Sequence, residues 1–298
     1  MHYGVSVPNF GEGVDARAIA GLARDAEGAG WDGFFIWDHL LAFSPGRVPV
    51  VDPWIALSAA AMSTGRVRLG PMVTPLPRRR PTRLARETVS LDLLSGGRLV
   101  LGVGIGAMPY EWDYLGEEPE MRVRGAMLDE GLDVLTGLWT GEPFGHRGKY
   151  YRVGGEPPEE AWRAIFYPPP LQEPRIPVWV AGTWPIKAPF RRAARWDGVC
   201  PIKVEGGQIR QMTPQDVLEM VRYVTEHRTG TGSFEVVIAG ETPGDDRAES
   251  AAIVAAHEAA GVTWWIESID PWRFGWTEND PWPAPEMRAR VQQGPPEA

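Results

Sequence analysis

Short runs of apolar residues alternate along the chain with longer segments in which apolar residues recur at helical spacing. The short runs predict strands, and they read YGVSVPN, GFFIWDH, VRLGPMVTP, SGGRLVLGVGIG, IPVWVAG, GVCPI, FEVVIAG and VTWWIES. The periodic segments predict helices near residues 15–29, 53–63, 81–94, 121–140, 186–195, 214–228 and 247–259. The strands lack a polar face, which is typical of a parallel sheet that is buried on both sides.

This series of eight strands, in which each strand but the last precedes a helix, predicts one (β/α)8 barrel of the TIM type over residues 1–298. An open, doubly wound α/β sheet is the alternative. Residues 141–175 lack periodicity and predict a long insertion after the fourth strand and helix unit. A proline-rich tail covers about residues 270–298 and is expected to wrap the surface.

The overall composition narrows the classes of function. The chain has 298 residues, of which 43% are hydrophobic and 23% charged, as in ordinary globular proteins. A net charge of −9 argues against a nucleic-acid partner, because nucleic-acid-binding domains usually carry a basic patch. The one dense basic run, Arg78 to Arg80, is interpreted as a solvated loop. The lone Cys200 excludes an internal disulfide. Neither a leader nor a membrane-length apolar run is seen, so we expect a cytoplasmic protein without a membrane partner.

Polar side chains and glycines stand at the C-terminal ends of the predicted strands, which is where barrel active sites form. The second strand ends in Asp38 and His39, directly after an apolar run. The other strand ends carry Met72, Val73 and Thr74; Gly104 and Gly106; Gly182 and Thr183; Lys203; Glu241; and Glu267. We therefore expect the chemistry at this end of the barrel.

Several common chemistries lack their residues. The stretch GVGIGA fits a loose dinucleotide-binding pattern, but no helix follows it at once, so a Rossmann site is rejected. Its glycines instead allow a flat ligand to approach the strand end closely. Of the five histidines only His39 follows a strand, and no H-x-H or H-E-x-x-H spacing occurs, so no metal site is predicted. A Ser/His/Asp hydrolase also lacks support, because the motif G-x-S-x-G does not occur in the sequence.

A single histidine in an aromatic, glycine-lined cleft suits proton transfer beside a planar cofactor that carries the electrons. Asp38 would fix the tautomer of His39, or would cap local backbone amides instead. Several of the 14 tryptophans lie at strand ends or in loops, which favours an apolar or aromatic small-molecule substrate.

Long segments of the chain resemble the bacterial luciferase-like superfamily, whose members are flavin- or deazaflavin-dependent oxidoreductases. The resemblance runs from residue 1 to about residue 270. The segments that carry it are GWDGFFIWDHL, RVRLGPMVTPLPRRRPTRLARETVSLDLLSGGRLVLGVGIG, RGAMLDEGLDVLTGLW, FGHRGKYY and PVWVAGTWPIKAPFRRAARWDGVCP. It implies a TIM-type barrel that binds coenzyme F420 or, alternatively, reduced FMN.

The resemblance also implies roles for particular residues. His39 matches the active-site histidine of the deazaflavin enzymes, and Glu111 matches an acidic position after the fourth strand. Both are therefore expected to be catalytic and to handle the proton of the reaction. A non-prolyl cis peptide is implied at Met72–Val73. The cofactor phosphate is expected near Gly182, Thr183, Trp184 and Lys203. The full predicted cofactor-binding set is Asp38, Met72, Val73, Thr74, Gly104, Gly106, Gly182, Thr183, Trp184 and Lys203.

The favoured function is F420-dependent hydride transfer to or from a small organic substrate. It is favoured because Leu40 follows His39, where the oxygen-using branch often has a second histidine. The alternative is a monooxygenase that uses FMN and O2 with a partner flavin reductase. A second alternative is a barrel that binds a cofactor or ligand without catalysis. The resemblance further implies a homodimer that pairs through the helices after strands two and three.

Overall fold

Eight parallel strand positions surround a central axis in the computed structural model, which describes residues 1–42, 47–154, 164–230, 232–277 and 280–296. The strands are β1 (His2–Val7), β2 (Gly33–Ile36), β3 (Arg68–Pro71), β4 (Thr74–Pro75), β5 (Leu101–Gly104), β6 (His146–Arg147), β7 (Arg152–Val153), β8 (Val178–Trp184), β9 (Gly198–Glu205), β10 (Gln208–Arg210), β11 (Glu235–Gly240) and β12 (Trp264–Ser268). The helices are α1 (Ala16–Gly28), α2 (Pro53–Ser63), α3 (Pro81–Ser95), α4 (Tyr110–Asp113), α5 (Met121–Trp139), α6 (Lys187–Ala193), α7 (Pro214–His227), α8 (Arg247–Ala259) and α9 (Ala284–Gln292).

The main sheet closes through the third strand position, which β3 and β4 share. The strand order is β3-β2-β1-β12-β11-β9-β8-β5-β4. On one side Phe34 of β2 stands opposite Leu69 of β3, and on the other Thr74 of β4 stands opposite Val103 of β5. The predicted barrel is therefore confirmed, and the open sheet is wrong. The Met72–Val73 peptide bond between β3 and β4 is cis, as the resemblance implied.

Local signals in the sequence place the helix ends. The Asp15 side chain accepts hydrogen bonds from the backbone amides of Arg17 and Ala18 at the start of α1. Asp52 caps α2 in the same way, directly before Pro53. The helix α3 ends at Gly96, whose φ of 70° lies in the left-handed region that suits glycine.

Large side chains fill the lower part of the barrel interior. The buried cluster there consists of Phe35, Val100, Trp179, Cys200, Val237, Trp264 and Ile266. The rings of Phe35 and Trp179 lie 5.4 Å apart, and those of Trp179 and Trp264 also lie 5.4 Å apart. Burial raises the pKa of the Cys200 thiol well above its ordinary value. The interior is thus a packed core at this level, and in barrels of this type the ligand site lies towards the C-terminal strand ends.

The insertion and the tail contain short elements that the sequence pattern did not predict. Strands β6 and β7 form an antiparallel hairpin within 141–175, of which residues 155–163 lie outside the described residues. The tail carries α9, which packs against α1. Within the described ranges, no helix combines the length and hydrophobicity that crossing a membrane requires.

Candidate active site

His39 follows β2 at the mouth of the barrel and is held there by its neighbours. The buried Asn9 side chain donates to the His39 carbonyl oxygen (2.8 Å) and accepts from the His39 amide (3.1 Å). The imidazole side chain is 18% exposed, so a small ligand can reach it. The backbone of His39 is therefore fixed while part of its ring stays accessible.

Glu111 on α4 meets the His39 ring, although 72 positions separate the two residues in the sequence. Its Oε2 lies 3.3 Å from His39 Nδ1 and accepts from Arg78 Nη1 at 2.8 Å. Its Oε1 accepts from the backbone amides of Leu40 (2.5 Å) and Leu41 (3.1 Å). Burial opposes ionisation of Glu111, but the bonds and charges of His39 and Arg78 outweigh it and lower its pKa to about 2.

This arrangement determines the tautomer of the neutral imidazole. An ionised carboxylate only accepts hydrogen bonds, so the Nδ1 of His39 that faces Glu111 carries a proton. The acceptor lone pair of the neutral ring is then on Nε2. Glu111, and not Asp38, therefore orients the ring.

Asp38 has a different set of partners. Its carboxylate accepts from the Thr74 hydroxyl (2.7 Å) and from the Arg79 guanidinium (2.8 Å), and it is buried. Thr74 is buried as well. The side chains of Asp38 and Thr74 are thus hydrogen-bonded to each other below the mouth of the barrel. Their contact with a cofactor stays a prediction.

The interpretation of Arg78 to Arg80 as a solvated loop was wrong for its first two residues. The Arg78 side chain is 3% exposed and the Arg79 side chain 18% exposed. They are buried because they neutralise the carboxylates of Glu111 and Asp38, which the sequence alone did not place nearby. The sequence feature that could have indicated these ion pairs is the dense basic run itself, directly after the third strand.

Small side chains border the space above the packed core. Val73 lies against Gly104, where an added Cβ would come within 3.0 Å of Val73 Cγ2 and 3.5 Å of Ala181 Cβ. Ala239 on β11 is exposed although both of its neighbours in the strand are buried. Glycine and alanine at these positions leave room that larger side chains would fill, which suits a flat ring.

Aromatic rings form one wall of the mouth beside His39. Trp37 and Trp272 stack with centroids 6.2 Å apart. Phe10 contacts His39 edge-on at 6.1 Å and lies 5.9 Å from Trp37. Two of the tryptophans that predicted an aromatic cleft thus lie together next to the histidine.

A buried cation that sequence reasoning missed lies below the loop after β5. Arg124 is 5% exposed, and its guanidinium carbon lies 4.0 Å from the ring centre of Trp112. Among the described residues, Arg124 Nε and Nη1 and Trp112 Nε1 have no hydrogen-bond partner. Buried guanidinium nitrogens without partners are rare, and these two can donate to a hydrogen-bond acceptor. Nothing in the sequence distinguished Arg124 from the exposed Arg122 on the same helix.

The residues expected near the cofactor phosphate have other contacts. Trp184 packs outward on α6, with its ring 5.1 Å from Phe190. A Cβ at Gly182 would meet Pro189 at 2.4 Å, so glycine there allows α6 to approach β8. Thr183 is partly exposed and stands opposite Ile202.

Lys203 and Glu267 are both paired. The Lys203 ammonium lies 2.9 Å from Asp216 and 2.9 Å from Glu205. Glu267 is buried and bonds to Arg273 at 2.6 Å, so it stabilises the end of β12. Across the described ranges, no group of three or more potential ligand side chains could hold a metal ion.

Gly106 also has a packing role. It has a φ of 79°, and a Cβ there would come within 2.2 Å of the Trp112 ring. Only glycine fits this turn, because both the conformation and the ring exclude a side chain.

Comparison with known proteins gives one matching family model. It describes luciferase-like monooxygenases and matches residues 1–269. An F420-dependent glucose-6-phosphate dehydrogenase of Gordonia bronchialis is 32% identical over 194 residues, covering 63% of this chain and 54% of that protein. One of Amycolatopsis mediterranei is 30% identical over 233 residues, covering 72% and 65%. The chain thus spans less than two thirds of the length of these curated relatives.

Solved structures share the fold at low sequence identity. An F420-dependent secondary alcohol dehydrogenase, in complex with an F420-acetone adduct, superposes with a TM-score of 0.73 at 17% identity, covering 91% of this chain and 94% of that chain. The F420-dependent tetrahydromethanopterin reductase of Methanopyrus kandleri gives 0.68 at 18%, covering 98% and 96%. An FMN complex of the oxygenating constituent of 3,6-diketocamphane monooxygenase from Pseudomonas putida gives 0.62 at 22%, covering 81% and 67%.

Proposed function

This chain belongs to the luciferase-like monooxygenase family, and from that membership we propose that it is a cytoplasmic oxidoreductase that uses coenzyme F420. The observation that carries the proposal is the pair of His39 and Glu111 at the mouth of the barrel, 3.3 Å apart, beside a border of glycine and alanine. The relatives named F420-dependent dehydrogenases support this choice of cofactor.

Residues of this chain fit the parts of such a cofactor. Val73, Gly104, Ala181 and Ala239 would border its flat ring system, because they leave space above the packed core. Its phosphate would suit Arg124, because Nε and Nη1 of this buried guanidinium lack hydrogen-bond partners among the described residues and could donate to phosphate oxygens. When bound, the cofactor supplies a ring that accepts or returns a hydride.

His39 would handle the proton of the reaction. In the oxidation of an alcohol, His39 Nε2 would accept the proton of the hydroxyl while the bound cofactor would supply the hydride acceptor. Nε2 can accept this proton because Glu111 holds the other ring nitrogen in its protonated form. In the reverse direction, His39 returns the proton to the carbonyl oxygen.

Glu111 would position His39 and stay ionised throughout. Its pKa of about 2 means that it holds almost no proton at neutral pH. Its bonds from Arg78, Leu40 and Leu41 also fix both oxygens in place. We therefore revise the catalytic role predicted for Glu111 to one of orientation and charge.

We propose a neutral, largely apolar alcohol or carbonyl compound as the substrate. Trp37, Trp272 and Phe10 provide aromatic contact area beside His39. The cations Arg78, Arg79 and Lys203 are each bonded to a carboxylate of the chain. A sugar phosphate, as in the names of the relatives, would have to compete with those pairs.

An anaerobic absorbance titration with F420 and with FMN, in both redox states, tests the cofactor. Tight binding of F420 and weak binding of FMN is the expected result. Turnover that requires O2, FMN and an added flavin reductase would establish the monooxygenase instead. Bound F420 that no alcohol reduces and no carbonyl compound oxidises would favour a binding protein without catalysis.

Two variants test the phosphate contact. Arg124→Gln is expected to weaken F420 binding by about tenfold or more, since a charge-assisted contact is lost. Lys203→Ala, which removes a paired lysine, is the matched control and should change affinity far less. A larger loss of F420 affinity in Lys203→Ala than in Arg124→Gln would instead support a phosphate site at Lys203, as the resemblance implied.

A further inference from the structure

An apolar cavity lies beside the active site and is not used by the proposed reaction. It has a volume of about 190 Å³ and opens between α1, the segment after β1, and the tail. Its lining includes Phe10, Ala18, Leu22, Trp282, Ala284 and Met287. The cavity is partly open to solvent, because Ala18 and Ala284 on its walls are exposed, and its concave apolar lining suits a small molecule.

The size and charge of the cavity define the class of its occupant. An apolar cavity of roughly 150 Å³ in another protein binds benzene, so this one accommodates a single ring with a small substituent. Its charged lining residues, Glu12 and Arg288, are exposed and of opposite sign. The Arg288 charge is moreover paired with Asp25, at 2.5 Å. An uncharged occupant therefore fits best.

The cavity shares its wall with the support of His39. Phe10, 3% exposed, lines the cavity and also contacts the His39 ring at a centroid distance of 6.1 Å. Pro8 lines it too, and the intervening Asn9 binds both the amide and the carbonyl of His39. A ligand that presses on Pro8 and Phe10 would thus act on the segment that fixes the histidine.

We propose that this cavity is a binding site for a small, uncharged molecule with one ring, and that its occupant acts on His39 through Phe10 and Asn9. The site is distinct from the mouth of the barrel, because its lining includes Phe10 but neither His39 nor Glu111. The proposal goes beyond the redox reaction and does not depend on it.

Ligand-observed NMR titration with toluene tests the site, with benzoate and benzylamine as charged analogues of the same ring. Saturable binding of toluene and weaker binding of both ions is expected. Ala18→Phe should weaken toluene binding by about tenfold or more, because the added ring fills the cavity. Ala284→Phe fills it from the other wall and serves if the first variant does not fold. Ala255→Phe, at an exposed alanine of α8 away from the cavity, should bind like the wild type.

The coupling to His39 needs a separate measurement. The imidazole proton resonance of His39, assigned by its loss in His39→Gln, should shift on saturation with toluene, while that of His257 on α8 should not. Unsaturable binding, or equal binding by Ala18→Phe, Ala284→Phe and the wild type, would overturn the site. Saturable binding with an unmoved His39 resonance would overturn the coupling. Neither the toluene titration nor the His39 resonance requires F420, so both measurements stay valid if the proposed redox function is wrong.

Discussion

At the scale of single residues, the proposed proton transfer depends on two groups with different roles, the imidazole of His39 and the carboxylate of Glu111. Glu111 is buried and contacts three hydrogen-bond donors and one ring nitrogen, and its pKa of about 2 keeps it deprotonated at neutral pH. His39 retains an accessible ring and a second nitrogen. The pair is therefore organised so that one group stays charged while the other carries the proton.

His39→Ala should lower turnover at saturating cofactor by about 100-fold or more, because the proton acceptor is lost. Cofactor affinity should change little, since the proposed phosphate and ring contacts remain. Steady-state kinetics, a binding titration and a melting curve on the same preparation provide the measurement. A folded variant with near-normal turnover would contradict the role.

Glu111→Gln tests the charge of the same pair through its pH dependence. The pKa of Glu111 falls from 4.5 to about 2 on folding, so the carboxylate stabilises the fold fully above pH 4.5 and loses this effect as the pH falls towards 2. The full effect is about 3 kcal/mol. The difference in unfolding free energy between wild type and variant should therefore shrink between pH 5 and pH 3 in urea titrations.

A constant difference over that pH range would refute the charged state assigned to Glu111. Glu142→Gln, at an exposed acidic position, provides the control and should leave the pH dependence of unfolding close to that of the wild type.

Single carboxylates also organise whole elements, and the hairpin of β6 and β7 is an example. Glu130 on α5 accepts from the backbone amides of Lys149, Tyr150 and Tyr151 and lies 3.2 Å from His146. Burial opposes ionisation, but the amides and His146 outweigh it and lower the pKa of Glu130. The hairpin is thereby attached to the barrel by a charged residue of a helix.

Glu130→Gln should weaken this attachment, because an amide accepts fewer and weaker hydrogen bonds than a carboxylate. Hydrogen exchange at the amides of Tyr150 and Tyr151 should accelerate by about tenfold or more. Mass spectrometry of peptides from the hairpin measures this, and peptides from α8 should be unchanged. Unchanged exchange in the hairpin would show that other contacts hold it.

Most elements of the barrel were predictable because their signals are local. The boundaries predicted for 53–63 and 247–259 are those of α2 and α8. The helix α9 was missed, because prolines surround it and its apolar face depends on contact with α1. The tail therefore looked irregular in the sequence.

The site was predictable only in part, for a physical reason. Strand ends and the resemblance indicated His39 and Glu111, and the fold brings them together. Arg78, Arg79 and Arg124 were missed, because the burial of an arginine depends on partners from other elements. Successive side chains of a strand point to opposite faces, and Trp184 of β8 points outward to the helices. The strand sequence alone did not reveal which face it would occupy.

At the scale of the whole molecule, the outer face of α2 carries unpaired apolar surface. Ile55 is 62% exposed and Met62 is 72% exposed, and they lie two turns apart on one side of the helix. Leu94 of the adjacent α3 is 45% exposed. This face is the one through which a homodimer was predicted.

We expect the double variant Ile55→Lys with Met62→Lys to be a monomer of about 32.9 kDa, and the wild type to have about twice that mass. Light scattering after size exclusion gives both masses. The double variant Met121→Lys with Ile209→Lys changes equally exposed apolar residues elsewhere and should stay dimeric. A monomeric wild type would disprove the predicted assembly.

The reactivity of the Cys200 thiol can report how often the barrel core opens. It is the one sulfhydryl in the sequence, and it is packed among the rings and aliphatic side chains that fill the interior. A coloured disulfide reagent can react with it only after those residues separate. The rate of thiol modification in native buffer, followed by absorbance, therefore measures how often the barrel core opens. A lower rate in the presence of a ligand would show how strongly that ligand stabilises the closed barrel.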